Sequence, residues 1–132
     1  MATKVTDTGL GIVTARIAGS GTEPKYIGWG TGAGTAAVAD TTLFTEKDVD
    51  VSTGTGTRTT GTSSQQTTTT TSDTYRVTGT RTATGAGTVT NAGLWDNATM
   101  GSGSLFLKGD FTGIGLSSGD SIAFTINTVF DN

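Results

Sequence analysis

The chain has 132 residues, a formal net charge of -3 and only 14% charged residues, and it contains neither Cys nor His. These absences exclude disulfides, Cys or His zinc ligands, Cys nucleophiles and a Ser-His-Asp triad. The scattered Lys and Arg argue against a nucleic-acid partner. No apolar run approaches the roughly 18 residues that a membrane span needs.

The composition predicts a mainly β protein. Threonine makes up about a quarter of the chain, and there are 21 Gly and one Pro. Threonine is β-branched and favours strands, whereas glycine marks turns and bulges. Large apolar residues are few, so the predicted core is thin, and we expect assembly with partners to stabilise the fold.

The first eight residues are mostly polar, and we expect residues 1–8 to form an extended N-terminal arm. Such an arm suits strand addition to the sheet edge of another protein. The candidate partner-binding residues are therefore Ala2, Thr3, Lys4, Val5, Thr6 and Asp7.

One short helix is predicted after this arm. Three apolar residues spaced three and four apart indicate its buried face: Leu10, Val13 and Ile17. Asp7 or Thr8 suits the N-cap, and Gly19 suits the C-terminal end. A strand over residues 12–18 is the alternative.

Short strands with turn residues between them occupy the rest of the chain. The predicted strands are Tyr26–Trp29, Asp48–Ser52, Tyr75–Arg81, Thr88–Trp95, a segment from Leu105 to Phe111, and Ile122–Phe130. Broken alternation in the fourth of these predicts a bulge near Asn91–Gly93. This pattern predicts a single domain over residues 1–132, an antiparallel β-sandwich or jelly roll with one short N-terminal helix.

A low-complexity segment, Thr53–Ser72, consists almost entirely of Thr, Ser, Gly and Gln. Its β-branched threonines suit an exposed hairpin or strand, although disorder is the alternative. Both faces of such a strand are polar, so burial specifies its register poorly, and we expect it to need a neighbour.

Two motifs invite a chemical interpretation. The run Gly28–Gly34 is glycine-rich, but it lacks the Gly-Lys-Ser/Thr ending of a phosphate-binding loop, so we interpret its glycines as sites of close backbone packing. Glu46, Asp48 and Asp50 lie at alternate positions, as a hydrolase pair or a calcium site requires. Neither fuller ligand pattern is present, and we expect a solvated strand face instead.

The aromatic residues have two possible roles. Trp29, Trp95, Tyr26 and Tyr75 suit a sugar-binding platform, but in a thin β core they are expected to be buried. We therefore predict no catalytic residue, no cofactor and no metal ligand, and we do not expect an enzyme.

Several segments together carry a family resemblance: Lys25–Gly32, Asp40–Glu46, Gly61–Gln65, Thr90–Asp96, Phe106–Phe111 and Ser118–Ile122. In this order they resemble a group of small virion proteins of tailed bacteriophages, including cyanophage-like ones. The resemblance implies a structural role and transfers no catalytic residue.

The role implied first is that of a head decoration (cement) protein. Such a protein, expected to be a homotrimer, is made in the host cytoplasm and stabilises the head by binding between major capsid proteins on its outer surface. The alternative is a tail or fibre component that binds a receptor or a glycan, which requires Trp29 or Trp95 to be exposed.

Overall fold

A computed structural model describes residues 1–132 as one helix and nine strands. The helix α1 is Asp7–Ile17, too short to cross a membrane. The strands are β1 Thr3–Val5, β2 Tyr26–Gly30, β3 Glu46–Lys47, β4 Thr59–Thr60, β5 Thr62–Gln66, β6 Thr74–Thr82, β7 Gly87–Trp95, β8 Leu105–Leu116 and β9 Ser121–Val129.

The strands form two antiparallel sheets. The larger sheet has the order β1-β8-β7-β2-β3, and β4 also pairs with β2. The smaller sheet has the order β5-β6-β9. Apolar residues of both sheets share the same buried clusters, which is the packing of a β-sandwich. The predicted fold, mainly β with one short helix, is confirmed.

The core lies between the inner faces of the two sheets. Ile27 and Trp29 alternate along β2 and are fully buried, as their spacing predicted. Ile27 packs with Val77 of β6 and Leu94 of β7 in one cluster, whereas Trp29 packs with Val89 in a second. Strand β2 is buried on both faces, because four of its five residues are buried and only Tyr26 is half-buried.

The outer face of the larger sheet is covered by residues 31–45, here called the covering loop. Its Leu43 packs with Trp95 and Leu105 in a third buried cluster. The backbone of Phe44 approaches Gly30 so closely that a Cβ on that glycine would lie 2.3 Å from the Phe44 carbonyl oxygen. This contact confirms that glycine in the 28–34 run serves close packing.

The N-cap of helix α1 lies one residue before the earlier of the two predicted positions, Asp7 and Thr8. Thr6 is the N-cap: its hydroxyl accepts the Gly9 N–H at 3.0 Å and donates to the Leu105 carbonyl at 2.6 Å. Through this bond the buried Thr6 side chain also fixes the helix on β8.

The predicted buried face of α1 is wrong for Leu10 and Ile17, whereas its third residue, Val13, is half-buried and packs against the core. Gly9 and Ile12 are buried, whereas Leu10 is 58% and Ile17 81% exposed. A glycine at position 9 lets the helix backbone approach the Phe106 carbonyl, so this side of the helix turns toward β8. Apolar spacing alone could not reveal that approach.

The predicted arm is extended but paired within its own chain. Thr3–Val5 forms β1, antiparallel to β8, and Asp7 already belongs to the helix. The segment before the helix therefore comprises residues 1–6 rather than 1–8. Contact of Ala2–Asp7 with a partner remains a prediction.

The Thr-rich segment is exposed over most of its length, and β4 and β5 lie within it. The neighbour that pairs with β5 is β6 of the same chain. Its one charged residue, Arg58, is nevertheless buried.

Two further details differ from the predictions. Only Glu46–Lys47 is a strand near the predicted Asp48–Ser52, because the Asp50 carboxylate accepts the Ser52 N–H and hydroxyl and closes a turn. The β7–β8 register shifts at two places, opposite Thr90 and between Leu94 and Trp95, which flank the predicted Asn91–Gly93 rather than lie within it. The extra residues belong to β8, which a pattern in β7 alone does not show.

We predict opposite effects for alanine at two glycines of α1. Gly9→Ala places a Cβ 2.3 Å from the Phe106 carbonyl oxygen and should lower the free energy of unfolding by about 1–3 kcal/mol. Gly11→Ala has open space around it and should raise that free energy by up to about 1 kcal/mol. Urea denaturation measures both, and equal stabilisation by the two changes would contradict the close approach of α1 to β8.

Candidate docking surfaces

Three carboxylates were predicted to share a solvent-exposed strand face, but two of them, Glu46 and Asp48, are instead paired with buried arginines. Both oxygens of Glu46 accept hydrogen bonds from Arg58, at 2.7 Å from Nε and 3.0 Å from Nη2. The Asp48 carboxylate lies 3.8 Å from Nη2 of Arg81. Asp50 alone lies outside this arrangement. The prediction of a solvated face is therefore wrong for Glu46 and Asp48.

The side chain of Arg58 contacts β3, β7 and the loop that follows β7. Besides Glu46, its Nη1 donates to the carbonyls of Asn97, Thr99 and Ser102, at 2.9, 2.8 and 2.8 Å. Its guanidinium carbon lies 3.6 Å from the ring centroid of Trp95. Each of its three guanidinium nitrogens thus has an acceptor, which is how a buried guanidinium avoids an uncompensated charge.

Arg81 is the second buried arginine, and it also lies beside a tryptophan ring. Its Nη2 donates to the carbonyls of Lys47 and Thr57, its Nη1 donates to the Thr59 hydroxyl, and its guanidinium lies 4.9 Å from the Trp29 ring centroid. Burial lowers the pKa of Arg81 to about 10, partly offset by the nearby charge of Asp48. The two terminal nitrogens of Arg81 therefore bond segments of its own chain, whereas its Nε is buried without a hydrogen-bond partner.

A third buried cation attaches the covering loop. Lys108 donates to the Thr42 carbonyl at 2.8 Å, lies 3.0 Å from an Asp40 carboxylate oxygen and 3.1 Å from the Phe44 ring centroid. The Ala37 N–H and then Lys108 hold the pKa of Asp40 below its ordinary value.

Both tryptophans belong to the core rather than to a platform. Trp29 is fully buried and Trp95 is 3% exposed. The Trp29 indole donates to the Asp48 carbonyl at 2.8 Å. Tyr26 and Tyr75 are half-buried, and Tyr75 makes an edge contact with Phe106. The prediction of buried aromatic residues is confirmed for both tryptophans.

An apolar groove lies between α1 and the C-terminal end of the chain. It has a volume of about 350 Å³, and its rim carries Arg16 and Glu23. We call this the α1 surface, and its apolar lining consists of Ile12, Val13, Ile17, Pro24, Tyr75, Phe106 and Phe130. Ile17 is 81% and Phe130 53% exposed, so two large apolar side chains face solvent beside one groove.

Sequence reasoning singled out Ile17 but assigned it to the core, and it missed Phe130 as a surface residue. The signal for Arg58 was present, because it is the one charged residue between Val51 and Ser72. An isolated charge in an uncharged segment indicates a specific partner, which here is Glu46.

Comparisons with known proteins identify no relative: no protein-family model, no curated protein and no solved structure matches this chain.

We predict that Arg58→Met costs about 3–5 kcal/mol in unfolding free energy, because it leaves Glu46 and three loop carbonyls without their donor. Arg76→Met is the matched control, since Arg76 is half-buried and its one side-chain bond, to Asn127, is open to solvent, so its change should cost less than about 1 kcal/mol. Chemical denaturation measures both. Equal costs would show that the buried pair contributes no more than a surface contact.

We also predict that two carboxylates contribute to the loss of stability in acid. The Thr70 N–H and the Thr74 hydroxyl lower the pKa of Asp73, and the Ala36 N–H lowers the pKa of Asp110 from its ordinary 3.8. Because the folded pKa lies below the unfolded value, the stabilisation is present above about pH 4 and is lost as pH falls through the folded pKa. Asp73→Asn and Asp110→Asn should weaken this pH dependence in denaturation curves. Asp131→Asn, an exposed control, should not.

Proposed function

We propose that this chain is a structural protein of a tailed-phage virion that decorates the outer surface of the head by binding between major capsid proteins. The observation that carries the proposal is the α1 surface, where Ile17 and Phe130 are exposed beside an apolar groove. The choice of a phage head as the partner rests on the family resemblance of the sequence.

The anatomy of the α1 surface suits a protein partner. Its centre is apolar, and Arg16 and Glu23 on the rim carry opposite charges. Protein interfaces have this arrangement of an apolar core within a polar rim. Burying an exposed Ile or Phe side chain contributes about 1.5–3 kcal/mol, so these two residues alone give a useful share of the binding energy.

A structural role also agrees with how the charged side chains are used. Glu46, Asp48, Arg58 and Arg81 hold segments of the chain against one another. The homotrimer belongs to the proposal as part of the family resemblance, with the major capsid protein as the second partner.

The positions of the two tryptophans do not support the glycan-binding alternative. It required Trp29 or Trp95 at the surface, and both are buried. We therefore propose the decoration role alone.

The test is binding to purified capsids of the encoding phage from which this chain has been removed. Ile17→Asp and Phe130→Asp should each weaken co-sedimentation by about tenfold or more, because each places a charge in the contact. Ile114→Asp is the matched control, since Ile114 is also an exposed apolar residue but lies in β8, outside the α1 surface. A copy number per particle comparable with that of the major capsid protein is expected.

Equal loss of binding by all three variants, or no loss by the first two, would contradict the proposed surface. A low copy number confined to tails would contradict the decoration role. Point variants are preferable to deletion of residues 2–7, because that deletion removes β1 and the Thr6 cap and so perturbs folding.

A further inference from the structure

A second surface lies at the free edge of the smaller sheet. Strand β9 pairs with β6 on one side and with no strand on the other. Its nine residues contain no charge and no proline, and its register with β6 is continuous. At about 3.4 Å per residue this edge is roughly 30 Å long.

The hydrogen bonds at both ends of β9 show which backbone groups are free. Phe130 N–H donates to the Asp73 carbonyl, and Asp120 accepts from the Ala83 N–H. Since bonding alternates along an antiparallel pair, even-numbered residues of β9 bond β6. The N–H and C=O of the odd-numbered residues therefore point to the open side: Ser121, Ala123, Thr125, Asn127 and Val129.

Most other sheet edges are protected in the usual ways. Strand β1 has three residues and carries Lys4, and β3 has two and carries Lys47. Strand β4 has two residues, and β5 has five polar ones. Short strands and lysines discourage edge pairing, whereas a long uncharged edge promotes it. Two uncharged edges remain without such protection: residues 111–116 of β8, which extend beyond β1, and the whole of β9, which is the longer and has a continuous register with its neighbour.

The space beside this edge is shaped for one more strand. A groove of about 420 Å³ runs between β9 and the strands β8 and β1, and no charged residue lines it. Its apolar lining includes Leu107, Phe111, Phe124 and Ile126. Phe124 and Ile126 point inward yet remain only half-buried, because no strand lies next to β9 to cover them.

We propose that β9 accepts an extended, uncharged segment of a partner protein as the fourth strand of the smaller sheet. Main-chain hydrogen bonds to the odd-numbered residues supply affinity, and apolar side chains at alternate positions of the segment enter the groove. Charged side chains at those positions are disfavoured, because the groove offers them no counter-charge.

A single segment fits this edge better than a second copy of the chain. The wall opposite β9 is built from β1 and β8, through Thr3 and Gly109. A second copy that offered its own β9 would bring its own β1 and β8 into the same space. A lone strand needs only the groove.

The probe is an acetylated, amidated and fluorescently labelled peptide with the sequence of residues 121–129, which is uncharged and has apolar residues at alternate positions. Binding to the full chain is followed by fluorescence anisotropy and by slowed amide exchange at Ala123, Thr125 and Asn127. A peptide of the same composition without the alternation should bind at least about tenfold more weakly.

Two variants separate the backbone from the side chain. Thr125→Pro removes an outward N–H without disturbing the β6 pairing, since edge strands tolerate proline at such positions, and it should weaken binding about tenfold. Thr125→Val keeps the N–H and changes only the side chain, so it should lose much less binding than Thr125→Pro. A peptide N-methylated at alternate residues of its pairing edge tests the same bonds without altering the protein, and should not bind.

Three results would overturn the proposal. They are no binding of the probe, equal binding of the N-methylated peptide, and a dimer of the full chain in light scattering that Thr125→Pro dissociates. The last result would assign this edge to a second copy.

Discussion

Buried cations on aromatic rings are the interactions on which the rest of this structure depends. Arg58 lies on Trp95, Arg81 near Trp29 and Lys108 on Phe44. Each donates to carbonyl oxygens of segments that have little regular structure of their own. A chain with few large apolar residues thus holds its long loops by charge-assisted hydrogen bonds, which are stronger than neutral ones. Removing one cation would release a loop as well as an ion pair.

This use of charge shapes the surface that remains. Glu46, Asp48 and Asp40 face buried cations rather than either candidate docking surface. The α1 surface has charges only on its rim, and no charged residue lines the groove beside β9. The α1 surface presents exposed side chains, whereas the β9 edge presents backbone groups. The two surfaces therefore suit different partners: a folded shell for the first and an extended segment for the second.

Much of the fold follows from local patterns. Strand-forming residues between turn residues predicted β2, β6, β7 and β9 close to their observed bounds, and period-two alternation was clearest in β9, which has one face against the core. The buried face of α1 was predicted wrongly for Leu10 and Ile17, since the approach of Gly9 to the Phe106 carbonyl depends on a residue nearly a hundred positions away. The pairing of Glu46 with Arg58 was not predicted for a similar reason. Alternate carboxylates indicate only a polar strand face, and they do not show which distant cation pairs with them.

The sequence by itself determined the class of structure: threonine and glycine in this proportion specify a β protein, and with no Cys or His it has no thiol and no imidazole. It also determined that both tryptophans are core residues, since few other large side chains are available. Only the tertiary structure decided that Ile17 and Phe130 face solvent and that β9 has an open edge. Exposure and strand order depend on which distant segments meet, and local periodicity contains no information about that.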